Sequence, residues 1–171
     1  MTSVLSVVGN PRPESRTHTL ARQLVAAIAR ELDASTDEVD LAVIGARVLD
    51  FDDGIARAAT EKVLAADVLV VASPTYKATY SGLLKAFLDR LGGGSLSGAT
   101  AVPVLLGGAP NHMLAVDVHF TPLLVELGAS VPVRGLFVLE SAVEGFEPFA
   151  GEWAKQHGPA LRPSRSSARG L

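Results

Sequence analysis

Apolar residues recur along this chain in two rhythms. Short, nearly continuous apolar runs alternate with longer stretches in which an aliphatic residue returns every three or four positions. The first run, Val4-Leu5-Ser6-Val7-Val8, predicts a buried strand over Ser3 to Val8. Leu20, Leu24, Ile28 and Leu32 then share one face of a helix expected from Thr17 to Leu32. Val39 to Ile44 predicts a second strand, and Ile55 to Ala66 a second helix after an irregular Phe51-Asp52-Asp53-Gly54. Asp67 to Ala72 is apolar almost throughout, the mark of a central parallel strand. Leu83, Leu84, Phe87, Leu88 and Leu91 define a third helix over Gly82 to Leu91, ended by Gly92-Gly93-Gly94. Ala101 to Leu106 is the fourth strand, Asn111 to Leu127 the fourth helix and Val131 to Leu139 the fifth strand. Pro122 cannot donate to the carbonyl of Val118, so the fourth helix should be irregular there. A last helix is expected around Trp153, over Glu152 to His157.

This alternation implies an α/β fold, a three-layer sandwich with a five-stranded parallel sheet in the order 2-1-3-4-5. One domain over residues 1–160 accounts for the pattern, with 161–171, rich in Arg, Pro and Ser, expected to be a mobile tail. In that strand order the ligand crevice lies at the carboxyl ends of strands one and three. Three loops meet there: Gly9 to Thr17, Ser73 to Tyr80 and Gly107 to His112.

The first loop leads a strand into a helix N-terminus, where free N–H groups and the helix dipole suit an anion. Arg12 adds a planar fork for phosphate oxygens. A Walker A loop is ruled out, because Glu14 and Ser15 stand at its second glycine and its lysine. The dinucleotide fingerprint fails at Pro11 and Glu14. What remains is a loop of hydroxyls and amides with Arg12, suited to a monoester phosphate. Ser15 or Thr17 as a simple helix cap is the competing reading, and these residues taken singly leave both open. In the second loop Pro74 fixes the turn, while Thr75, Tyr76 and exposed amides can hydrogen-bond a planar heterocycle. Gly107 and Gly108 let backbone approach a flat ligand. Each loop alone also reads as an ordinary strand-to-helix turn; their convergence on one sheet edge favours a site.

Composition narrows the function further. In 171 residues, 48% apolar and 19% charged, there is room for one soluble domain with a full core. A net charge of −3 argues against a nucleic-acid partner. No cysteine is present, which excludes a thiolate phosphatase loop, and His18, His112, His119 and His157 show no metal-binding spacing. No apolar run reaches the length of a membrane span and no basic segment precedes the first strand, so the expected location is cytoplasmic. Asp52 and Asp53 read as loop carboxylates, and Lys85 with Asp89 as a helix-surface pair.

Three motifs carry a family resemblance. They are Gly9-Asn-Pro-Arg-x-x-Ser-x-Thr, Ser73-Pro-Thr-Tyr-Lys-Ala-x-Tyr-Ser-Gly-x-Leu-Lys-x-Phe-Leu-Asp, and His112-Met-Leu-Ala-Val-Asp with Pro122-Leu-Leu and Leu127-Gly-Ala. In these the sequence resembles the NADPH-dependent FMN reductase family of flavodoxin-like proteins, over residues 3–139. The resemblance implies FMN with its phosphate on Arg12, Ser15 and Thr17, within a first loop that also offers Asn10 and Arg16. It places the flavin ring against Pro74, Thr75 and Tyr76, with Gly107 and Gly108 nearby. Lys77 would orient flavin or pyridine nucleotide, or is a surface lysine. The implied activity is hydride transfer from NADPH or NADH to FMN and on to an acceptor. The alternative is an FMN-binding electron carrier, or a quinone or azo reductase. Homodimers or homotetramers are implied, with the helix after the second motif at the interface, as is a possible monooxygenase partner. One departure stands out. Some of these reductases carry an inserted tyrosine directly after Ala-Val-Asp, and here that position is Val118. Intact loops without that tyrosine imply FMN that stays bound.

Overall fold

Along the first strand, Val4 and Val8 point to one side while Leu5 and Val7 point to the other, and all four are buried. A strand covered on both faces belongs to the interior of a layered α/β sheet. The computed structural model describes residues 1–163. Its elements in chain order are β1 (Ser3–Val8), α1 (Arg16–Leu32), β2 (Ser35–Asp40), α2 (Leu41–Ile44), α3 (Gly54–Ala65), β3 (Val68–Pro74), α4 (Gly82–Leu88), β4 (Thr100–Gly107), α5 (Thr121–Glu126), β5 (Leu136–Leu139) and α6 (Phe146–Leu161). All strand pairings are parallel, in the order β2-β1-β3-β4-β5. Helices α1 and α6 cover one face through Leu20, Leu24, Ile28 and Trp153. The other face is covered by α2 to α5 through Leu41, Val63, Leu84, Phe87 and Leu124. The expected flavodoxin-like sandwich and strand order are what the chain adopts.

Several boundaries differ from the sequence expectation. The second strand is not Val39 to Ile44 but Ser35–Asp40, whose side chains are mostly exposed. As an edge strand it is held by its backbone register with β1, from Ser3↔Ser35 to Val8↔Asp40, which tolerates polar side chains. The apolar Leu41–Ile44 is instead a helical turn capped by Asp40, which accepts from the Ala42 N–H at 3.0 Å. Lys62 of α3 donates to Asp37 at 3.0 Å, and this hydrogen bond holds the Asp37 carboxyl below the ordinary carboxylate range. The fifth strand begins only at Leu136, beyond Pro132, which has no N–H to give to a ladder. The last helix runs from Phe146 to Leu161, well beyond Glu152 to His157. Of the expected tail, Leu161 closes α6, and 164–171 lie outside the described residues.

The fourth helical region breaks as Pro122 requires. A short 3-10 turn at Pro110–His112 is followed by a π-helical turn at Val116–Phe120 and then α5. The Thr121 N–H bonds to the Val116 carbonyl five residues back. This wider turn leaves Phe120 fully buried, with its ring 5.3 Å from that of Tyr80. The third helix is also shorter than expected and ends at Leu88. Its apolar stripe faces the chain's own core. Leu84, Phe87, Leu88 and Leu91 are all buried, and Leu83 is half-buried against them. A side chain at Gly128 would reach within 2.8 Å of Gly94, so the glycine after α4 admits a neighbour from the same chain.

Candidate active site

The strand order turns between β1 and β3, since β1 leads outward to β2 and β3 leads the other way to β4. The crevice at that switch point is lined by the loops leaving β1, β3 and β4.

At the end of β1, the Gly9 N–H donates to the Ala72 carbonyl at 2.7 Å, and the Gly9 carbonyl accepts from Ser81 Oγ at 2.5 Å. A Cβ at Gly9 would lie 2.7 Å from Leu84 Cβ, so only glycine fits. Asn10 then organises the turn. Its Nδ2 donates to Thr17 Oγ1 at 3.0 Å, and its Oδ1 accepts from the Arg12 N–H at 2.9 Å. Ser15 is the N-cap of α1 and accepts from the His18 N–H at 3.2 Å. Its capping oxygen can still donate its own hydrogen. Arg16 pairs with Glu140 beyond β5 at 2.8 Å, with both side chains substantially exposed. Arg12 is exposed and has no side-chain partner among the described residues. It is therefore the free cation at the mouth of this loop.

The second loop is a tight hairpin turn. The Tyr76 N–H donates to the Thr79 carbonyl at 2.8 Å and the Thr79 N–H returns to the Tyr76 carbonyl at 3.2 Å. Between them Lys77 and Ala78 both have positive φ, 51° and 66°, the type I′ geometry that favours glycine or asparagine. The Lys77 side chain is exposed and Tyr76 is 44% exposed. Pro74 ends β3, and the Thr75 N–H donates to the Leu106 carbonyl at 2.7 Å. Thr75 Oγ1 is buried and has no hydrogen-bond partner among the described residues. In the third loop the two glycines differ. A Cβ at Gly107 would strike Phe137 Cζ at 2.4 Å, whereas Gly108 has nothing within 4 Å. Gly107 thus makes room for a packed ring and Gly108 faces open space.

The structure therefore brings Asn10, Arg12, Ser15, Thr17, Pro74, Thr75, Tyr76, Lys77, Gly107 and Gly108 to one edge, with Arg16 turned to Glu140. Sequence reasoning passed over Ser73 and Ser81, both buried beneath these loops. The signal for Ser81 was present, since a serine before an apolar helical run is an N-cap signature. Asp53 caps α3, accepting from the Ile55 and Ala56 N–H groups at 2.9 Å, so it is not one of a catalytic pair. No group of three His, Cys, Asp or Glu among the described residues could hold a metal, and no described helix is long and apolar enough to cross a membrane.

The family model described as NADPH-dependent FMN reductase matches residues 2–144. The chain belongs to this family. It is an oxidoreductase that uses FMN with NADPH or NADH as reductant. The chain is 36% identical over 147 residues to an FMN reductase (NADPH) of Escherichia coli K12, covering 82% of this chain and 74% of that one. It is 32% identical to an NADH-dependent FMN reductase, SfnF, of Pseudomonas putida, covering 85% and 82%. Among solved structures, the apo form of an NADH:FMN oxidoreductase, EmoB, superposes with a TM-score of 0.87 at 32% identity, over 100% of this chain and 95% of that one.

The residues present fit FMN. The orphaned Thr75 Oγ1 is a buried polar atom that requires a partner. Arg12, unpaired among the described residues, and the N-terminus of α1 capped by Ser15 are groups that suit a phosphate monoester.

Proposed function

We propose that the first loop of this FMN reductase holds the flavin phosphate and the second loop its ring, so that a hydride from NADPH or NADH passes to FMN and then to an acceptor. Arg12 contributes its fork, and Ser15 its hydroxyl, at the amino end of α1. Asn10 and Thr17 hold the loop in shape from within. Thr75 and the backbone around Pro74 and Tyr76 meet the ring, while Gly108 leaves a face open and Lys77 stands at its rim. Bound FMN supplies the two-electron chemistry; the protein orients it and shields one side. The unpartnered Thr75 Oγ1 carries this reading, because a polar atom of the flavin ring would supply the partner that the described residues do not.

The same reading takes in a cytoplasmic homodimer or homotetramer and an electron-accepting monooxygenase. Its test is the flavin absorbance of the purified protein before and after NADPH, with FMN and riboflavin titrated in parallel. Bleaching on NADPH and a clear preference for FMN are expected. Equal affinity for riboflavin would remove the phosphate assignment. Faster turnover with quinones or azo dyes than with FMN would move the acceptor to those compounds.

A further inference from the structure

We propose that Ser81 is a positioning residue that sets the phosphate loop from the N-terminus of α4. The proposal rests on the reading above that the first loop takes the FMN phosphate. Ser81 is 2% exposed and sits where three pieces of chain meet. Its Oγ donates to the Gly9 carbonyl at 2.5 Å and accepts from the Leu84 N–H at 3.1 Å. Its own N–H donates to Ser73 Oγ at 2.8 Å, and Ser73 Oγ donates in turn to the Pro74 carbonyl at 2.8 Å. One hydroxyl thus caps α4 and grips the start of the phosphate loop, while the backbone of the same residue is tied to the start of the ring loop.

The consequence follows from peptide geometry. In a trans peptide the carbonyl of one residue and the N–H of the next point in opposite directions. Holding the Gly9 carbonyl toward Ser81 turns the Asn10 N–H away from α4. That N–H has no partner among the described residues although Asn10 is only 8% exposed. The Asn10 side chain then sets the Arg12 N–H through Oδ1. On the other side of Gly9 its own N–H is tied to the Ala72 carbonyl, so the Ser81 bond is what holds the next peptide plane. Ser81 therefore acts on the phosphate through the orientation of these amides, without touching the flavin.

The test compares FMN with riboflavin in the full-length protein. Ser81→Ala should weaken FMN by about three- to tenfold, the worth of a lost hydrogen bond, with riboflavin unchanged. Ser81→Thr, which keeps the hydroxyl, should restore FMN binding. Should Ser81→Ala fail to fold, Ser81→Gly serves in its place, since glycine is nearly as good an N-cap and lacks the donor. Equal weakening of both flavins, or an unchanged dissociation constant for FMN, overturns the proposal. If the unaltered protein discriminates between the flavins and the variants discriminate as strongly, only this proposal fails. If the unaltered protein binds both flavins equally, the phosphate reading fails as well.

Discussion

Asn10 and Thr17 hydrogen-bond each other across the first loop, Nδ2 to Oγ1 at 3.0 Å, with Thr17 fully buried and Asn10 nearly so. The pair closes the turn from within and leaves Arg12 exposed with its guanidinium unpaired among the described residues. Shape and charge in this loop therefore reside on different residues.

Arg12→Ala should accordingly leave the fold intact and weaken FMN tenfold or more. The lost contact is charge-assisted, worth about 1.5–3 kcal/mol. Thermal unfolding without ligand should not change. Isothermal titration with FMN and riboflavin gives the decisive comparison, and an FMN affinity as strong as that of the unaltered protein would direct the arginine elsewhere.

The Lys77-Ala78 turn stores backbone strain, since both residues occupy the left-handed region. Ala78→Gly relieves an αL cost of roughly 1–2 kcal/mol, against an unfolded-state entropy gain of about 0.5–1 kcal/mol. The variant should be more stable by up to about 1.5 kcal/mol, read as a higher denaturant midpoint with an unchanged slope. Destabilisation would mean that the alanine methyl contributes packing that outweighs the strain.

Assembly should use a different face from the one the leucine spacing suggests. The stripe on α4 is buried at home, whereas Met113, Leu114, Val118 and Val125 are each more than half exposed along the broken helical region. A row of exposed apolar side chains of this kind marks an interaction surface. Light scattering should report a dimer or tetramer at micromolar concentration. Val118→Asp should shift it toward monomer, and an unaltered mass in that variant would place the interface elsewhere.

Flavin retention is the remaining expectation. The π turn at Val116–Phe120 is present, but the residue in the position of the inserted tyrosine is an exposed valine. With the loops intact, FMN should co-purify with the protein and steady-state velocities with NADPH and an acceptor should give parallel, ping-pong lines. Flavin-free protein with intersecting lines would make FMN a substrate that comes and goes.

Much of this protein was legible before folding. Buried parallel strands such as Val68–Pro74 must be apolar on both sides, so they stand out as runs, and their alternation with helices dictates the layers. The strand order then places Arg12, Thr75 and Gly108 at one edge, because parallel strands all carry their carboxyl ends to the same side. Other features have no local trace. Ser35–Asp40 is a strand only because β1 offers it backbone partners, and a ladder of N–H and C=O groups asks nothing of side chains. The periodicity of α4 records that one face is covered but not by what, and the sheet rather than a second chain covers it. Arg90 donates to the carbonyls of Val48, Asp50 and Phe51, and Ser81 to that of Gly9, across 39 to 72 residues of chain. A hydrogen bond between residues so far apart leaves no spacing to read, and only the close approach of the packed elements brings donor and acceptor within reach.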